Sequence, residues 1–209
     1  MSNYTVFIID DDSSARTGIT RLLNAAGMNT ESFASARDFL AAEKFDEPGC
    51  IVLDIQMPDM TGLELQEELS KFDYVKPIIF LSAHGDVPTT ARVMKKGAVD
   101  FLTKPVELND LLEAIRVSLD KDLEIRKQKV ENEDINEQLK TLTLREHEVM
   151  TFVITGMLNK QIAGEMNISE ETVKIHRRRV LQKLGIVSVA ELVRLCEKVG
   201  IAPARSQNR

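Results

Sequence analysis

Residues 1–120 predict an α/β fold, a doubly wound five-stranded parallel sheet of order 2-1-3-4-5. Residues 141–209 predict an all-α four-helix unit containing a helix-turn-helix. Three observations carry this reading. Short apolar runs alternate with amphipathic stretches through the first part, and only helix signals occur in the last. Charge divides along the same line: residues 1–125 hold 12 Lys or Arg against 22 Asp or Glu, whereas residues 141–209 hold 11 against 7. An acidic front and a basic back imply different partners, the back being the part suited to nucleic acid.

The first part reads in order as follows. TVFII (5–9), CIVL (50–53), PIIFL (77–81) and AVDFL (98–102) are apolar runs of the kind buried on both faces of a parallel sheet. MNTESF (28–33) is weaker and suits an edge strand. Amphipathic stretches at 14–26, 35–43, 62–72 and 87–96, with another opening near Glu107, supply the helices; Gly27 and Gly97 close two of them. Leu108, Leu112, Ile115 and Leu119 repeat at 4-3-4 spacing and predict the face by which the fifth helix meets the sheet.

Residues 121–140 predict a third segment, a charged linker that reads as a continuous helix, with a flexible connector as the alternative. Between Pro105 and Gly156 the chain has neither Gly nor Pro, yet beyond Asp120 the apolar stripe breaks up. After the linker, Thr143 and Glu146 make a capping box, Gly156 stops that helix, and Asn159 is placed to cap the next. Ser169 caps a longer helix that ends near Gly185. Ser188 and Glu191 make a second capping box and open a last helix that stops at Gly200.

Cys50 and Cys196 sit in apolar stretches with no partner spacing, which reads as buried thiols of a cytoplasmic protein. No apolar run approaches a membrane span, and no signal pattern opens the chain.

Three carboxylates, Asp10, Asp11 and Asp12, follow the first strand directly. Asp12 is explained by capping the helix after it. In a doubly wound sheet ligands bind outside the carboxyl ends of the strands. Those ends also deliver Asp54, Ser82 and Lys104. Carboxylates at one spot oppose one another's ionisation, and a hard divalent cation, Mg²⁺ or Mn²⁺, resolves the conflict with oxygen ligands. Asp54 then has an oxygen free to attack phosphorus, Ser82 can donate to phosphoryl oxygens and Lys104 can offset their charge.

In the last part, NKQIAGEMNISEETVKIHRRRVLQKLG has the cap-turn-cap spacing of a helix-turn-helix. Val173, Val180 and Leu184 share an apolar stripe. Lys174 and Arg178 fall on another face, suited to base edges, with Ile175 and Arg179 beside them. Lys160, Arg177 and Arg179 suit phosphates. His176 lies at the edge of the core stripe, either packed or touching phosphate.

The set DD at 10–11, D-x-x-M-P-x-x-x-G at 54–62, S-A at 82–83 and K-P at 104–105 resembles the receiver domain of two-component response regulators. LTLREHEVM, NKQIA and ISEETVKIHRRRVLQKLG resemble the LuxR-type DNA-binding domain over 141–200, including a T-V-K-x-H signature that begins at Thr172. Together they resemble the FixJ/NarL class, with the long linker of its FixJ-like branch. Met157 and Leu158 depart from the small polar residue more usual before the NKQIA segment.

The resemblance implies Asp54 as phosphoacceptor, with Asp11, Asp54 and the Gln56 backbone carbonyl as Mg²⁺ ligands and Asp10 holding a metal-bound water. It implies a cis Lys104–Pro105 bond, and a switch role for Phe101 coupled to Ser82. A sensor histidine kinase would be the donor, and the receiver would catalyse only its own phosphoryl transfer and dephosphorylation. Gln56 and His84 flank the path of hydrolytic water and are expected to tune dephosphorylation. The expected outcome is a homodimer on double-stranded DNA when phosphorylated, with Val189, Leu192, Val193, Cys196 and Val199 on the apolar face of the last helix and RNA polymerase as a further partner. A hydrolase would need a general base beyond Gln56 and His84.

Overall fold

The computed structural model describes residues 4–72, 76–83 and 87–204. The chain divides into two compact units, Met1–Arg126 and Lys127–Arg209. Among the described residues no helix is long and apolar enough to cross a membrane.

In the first unit the elements run β1 (Thr5–Ile9), α1 (Ser13–Ala25), β2 (Asn29–Phe33), α2 (Ala36–Ala41), β3 (Gly49–Asp54), α3 (Gly62–Leu69), β4 (Ile78–Ser82), α4 (Val87–Lys95), β5 (Asp100–Thr103) and the start of α5 (Leu108–Lys140). The strands pair in parallel in the order β2-β1-β3-β4-β5, the order expected from the sequence. Side chains alternate between faces with period two. Phe7, Ile9, Ile51, Leu53 and Phe80 therefore pack on one side with Phe39, Leu65 and Val93. Val6, Ile8, Val52, Ile79 and Leu81 pack on the other with Ile19, Leu23, Leu111 and Ile115. β2, with its polar NTESF, is the half-exposed edge.

α5 meets the sheet as expected through Ile115, with Leu112 and Leu119 packed against the same core, and departs from the expected stripe at Leu108. Leu108 is 37 % exposed, and the residues buried deepest are Leu111, Ala114, Ile115, Ser118 and Asp122. The buried face is centred on position 111 rather than 108, and a carboxylate continues it. Its charge is met in part: Oδ2 is bonded, while Oδ1 is buried without a hydrogen-bond partner among the described residues. Asp122 Oδ2 accepts from the Gly49 amide at 3.1 Å and from Arg126 Nε at 3.0 Å, while Arg126 Nη2 donates to the Glu47 carbonyl at 2.7 Å. Lys76 Nζ donates to the same carbonyl. Gly49 is required there: its φ is +149°, and a Cβ would fall 1.9 Å from the Thr5 carbonyl oxygen.

The second unit holds the end of α5 and α6 (Leu144–Val153), α7 (Asn159–Met166), α8 (Glu170–Lys183) and α9 (Val189–Lys198). Val149, Met150, Val153, Ile162, Val173, Val180, Leu184, Leu192 and Cys196 form its core, with Leu139 of α5 packed against it. The capping box of Thr143 and Glu146 is present. Glu146 is buried, and its carboxylate also takes Lys183 Nζ at 2.6 Å, which with the Thr143 amide lowers its pKa to about 2.

Two caps differ from expectation. The residue before α7 is Leu158, whose amide donates to the Gln161 side chain, so Asn159 is the first helical residue rather than the cap. Ser188 does cap α9, but Glu191 accepts from the Val187 amide instead of closing the box on Ser188. Both follow from backbone geometry at the helix entry, which places a different amide within reach of the Gln or Glu side chain.

Candidate functional site

The parallel register sets the carboxyl ends of β1, β3, β4 and β5 side by side, with Asp54 opposite Leu81 and Ser82 opposite Thr103. The residues at or just past those ends form a pocket. Asp10 is fully buried: Oδ1 accepts from the Asp12 amide at 2.9 Å, and Oδ2 takes Lys104 Nζ at 2.7 Å. Its carbonyl accepts from Arg16 Nη1 at 2.6 Å, a contact the sequence reading missed because the two residues lie one and a half turns apart across a loop. Asp12 does cap α1, accepting from the Ser14 amide at 2.8 Å.

Asp54 is 6 % exposed, and its Oδ1 lies 3.1 Å from Lys104 Nζ. Asp10, exposed Asp11 and Asp54 each offer an oxygen, and these three atoms lie within 4.8 Å of one another. Two of the three carboxylates, Asp10 and Asp54, share one ammonium, and Asp11 stands beside them. Burial raises the Asp54 pKa, the charges of Asp10 and Asp11 add to it, and Lys104 opposes it. Burial alone would lower Lys104; bonding to Asp10 and then Asp54 overcomes that and holds it above its ordinary value. This set of hard oxygen donors with surplus negative charge fits a divalent cation.

The remaining receiver residues surround this centre. Ser82 is 4 % exposed at the end of β4, and its carbonyl accepts from the Lys104 amide at 2.8 Å. The Lys104–Pro105 bond is cis. Phe101 is half-buried against the core that contains Phe80 and Val93. Gln56 is exposed two residues after Asp54, and His84 lies outside the described residues. Gly62 explains the glycine at the end of the 54–62 motif. A Cβ there would stand 2.4 Å from the Asp54 carbonyl oxygen, so only glycine lets α3 start this close to the pocket.

In the second unit α7, a turn through Asn167 at φ +53°, and α8 make the helix-turn-helix. On α8, Lys174, Ile175, Arg178 and Arg179 are exposed, as is Lys160 on α7. Glu170 and Glu171 occupy the first turn of α8, where the helix dipole favours them, leaving the cationic face further along. Thr172, His176 and Arg177 are half-buried. His176 Nδ1 is buried without a hydrogen-bond partner among the described residues. Arg177 Nη1 donates to Asn159 Oδ1 at 2.6 Å. The structure therefore separates the eight expected DNA-contact residues into five on the surface and three turned partly inward.

Comparison with known proteins agrees with both halves. Residues 6–116 match the response regulator receiver domain, and residues 140–196 match the bacterial regulatory proteins of the luxR family. Nodulation protein W of Bradyrhizobium diazoefficiens is 40 % identical over 197 residues, 94 % of this chain and 87 % of that protein. The transcriptional regulatory protein FixJ of Rhizobium meliloti is 36 % identical over 204 residues, covering 98 % of this chain and all of FixJ. Among solved structures, the response regulator StyR superposes with a TM-score of 0.74 at 45 % identity, over 94 % of this chain and 100 % of StyR. Full-length FixJ from B. japonicum superposes with a TM-score of 0.58 at 35 % identity, over 96 % of this chain and 99 % of that one.

Proposed function

This chain belongs to the two-component response regulators of the FixJ type, transcriptional regulators that join a receiver to a LuxR-type DNA-binding domain, and we propose that phosphorylation of Asp54 is the event that controls its binding to DNA. The observation that carries this is the cluster of three carboxylates at the ends of the strands, two of which share Lys104. A bound Mg²⁺ or Mn²⁺, held by Asp10, Asp11, Asp54 and the Gln56 carbonyl, would supply positive charge for the carboxylates and the incoming phosphoryl oxygens.

The chain's own residues do the rest. An Asp54 carboxylate oxygen attacks phosphorus as the P–N bond of the kinase phosphohistidine breaks, and the leaving imidazole nitrogen takes up a proton. Lys104, already within reach of both Asp10 and Asp54, offsets charge on the phosphoryl group. Ser82 donates to a phosphoryl oxygen, and Phe101 packs deeper as Ser82 shifts, which alters the surface around α4, β5 and α5. That change favours a homodimer, which sets two copies of α8 on half-sites about one helical turn apart. Lys174 and Arg178 then read base edges, and Lys160 and Arg179 hold phosphates; RNA polymerase is the partner at the promoter. Gln56 and His84 tune the lifetime of the acyl phosphate; half-lives unchanged by Gln56→Ala and His84→Ala would remove that role.

The test measures DNA affinity and association state for wild type and Asp54→Asn, with and without Mg²⁺ plus a small acyl-phosphate donor. The DNA is a duplex recovered by selection from a random-sequence library. Wild type is expected to dimerise and bind at least about tenfold more tightly with donor, a coupling of ordinary size, and Asp54→Asn to show neither response. Equal binding by both proteins with and without donor would sink the switch while leaving the DNA-binding domain in place.

A further inference from the structure

α8 packs on its unit through one stripe. Val173, Val180 and Leu184 on that stripe are buried. Arg177 stands four residues after the first and three before the second, so helical geometry sets it on the same stripe. It is half-buried, and its stem lines a small apolar cavity together with Met150, Val153, Val180 and Leu192. Its head meets the first residue of α7 through the 2.6 Å bond to Asn159 Oδ1.

A guanidinium taken partly out of water needs its hydrogen bonds met, and the alkyl stem of an arginine can pack as an apolar side chain does. Both halves of Arg177 are used in this way. Turning the head out to a phosphate would break the bond to Asn159 and strip the cavity of one wall. Arg178 and Arg179, one and two positions on, are exposed and need no such rearrangement.

Resting on the DNA-binding reading above, we infer that Arg177 is a positioning residue of the interface rather than the phosphate contact its place in a basic run suggests. It clamps α7 to α8 through Asn159 and so sets the angle at which α8 enters the major groove. Asn159, displaced from the capping position, is the other jaw of the clamp.

Salt dependence separates the two roles. Each phosphate neutralised by a cation contributes about −0.9 to the slope of log affinity against log salt, and a positioning residue contributes nothing to that slope. The experiment uses the full chain with Mg²⁺ and the acyl-phosphate donor, the selected duplex, and a salt series. Arg177→Met keeps the stem, Arg177→Lys keeps the charge without the planar fork, and Asn159→Ala removes the acceptor.

All three variants are expected to bind about tenfold more weakly than wild type, the scale of one hydrogen bond to a charged group. Their salt slope should be unchanged, and Arg177→Met combined with Asn159→Ala should be no weaker than either alone. The proposal is overturned if Arg177→Met lowers the slope by about 1 while Arg177→Lys binds as wild type does. It is equally overturned if Asn159→Ala leaves affinity untouched. Wild type binding no duplex at all would instead overturn the DNA-binding reading, and this inference with it.

Discussion

The receiver carries a buried aspartate near each pole of its sheet, and the two are treated in opposite ways. At the carboxyl end Asp54 shares one lysine with Asp10 and stands beside Asp11. At the amino end Asp122, fully buried on α5, accepts from the Gly49 amide and from Arg126. Burial raises both pKa values, but the opposing influences differ: Lys104 alone at Asp54, against Arg126 and a backbone amide at Asp122. Two further carboxylates, Asp10 and Asp11, worsen the first site.

The neighbours match this division. Lys76, which shares the Glu47 carbonyl with Arg126, lies with its Nζ 5.0 Å from the centre of the Phe7 ring and is lowered by burial, and then by the charge of Arg126, to about 7. Cys50 is pushed up by burial to about 12, which makes it an inert thiol. The amino-end cluster ties the middle of α5 to the loop before β3 through Asp122 Oδ2 and Arg126, while Asp122 Oδ1 is buried without a hydrogen-bond partner among the described residues. The carboxyl-end cluster is left with an excess of negative charge that a cation and a phosphoryl group can use. A buried carboxylate marks a reactive site when other carboxylates crowd it around a shared cation, not when it is merely buried.

Opposite signs on substitution would sharpen this contrast. Asp122→Ala takes the acceptor from the Gly49 amide and from Arg126 Nε, and is expected to cost about 3 kcal/mol in urea unfolding. Phosphoryl labelling of the surviving folded protein should be unchanged. A cost near zero, or a loss of labelling, would break the distinction between the poles.

Asp54→Asn should act the other way in the absence of divalent cation, stabilising the fold by about 1 kcal/mol because it removes an unmet charge. The pH dependence has a definite sign. A carboxyl whose pKa is raised in the folded state binds more protons there than in the unfolded chain, so its cost is present at neutral pH. That cost falls away as pH drops through the folded value towards the unfolded one, near 4. The stabilisation by asparagine should therefore shrink on acidification, and adding Mg²⁺ should raise the unfolding midpoint of wild type more than that of Asp54→Asn. A gain for Asp54→Asn that stayed constant from neutral pH down to about 4 would contradict an electrostatic origin.

Much of this was legible in the sequence, for identifiable reasons. Strands buried on both faces must be continuous apolar runs, so the polar residues that end them (Asp10, Asp54, Ser82, Lys104) stand out and mark the pocket. The clamp and the amino-end cluster were not legible, because their partners are distant in sequence. Asp122 and Arg126 read as ordinary connector charges until Gly49 and Glu47, more than 70 residues earlier, are brought against them. For the same reason the first compact unit runs to Arg126 rather than stopping at 120.

Arg177 is an intermediate case. Its 4-3 spacing from Val173 and Val180 is visible in the sequence, but the run His176-Arg177-Arg178-Arg179 draws attention to charge instead of to position on the helix. The role of Asn159 depends on the φ and ψ of Leu158, which the residue types alone do not determine.

The most direct test of the contrast between the poles is intact-mass spectrometry of the full chain after incubation with Mg²⁺ and an acyl-phosphate donor. Wild type and Asp122→Asn should each gain a single phosphoryl group, Asp54→Asn none, and wild type none when a chelator replaces Mg²⁺. Labelling of Asp54→Asn to the same extent as wild type, or labelling that persists in chelator, would contradict the assignment of the carboxyl-end pocket as the metal-dependent acceptor.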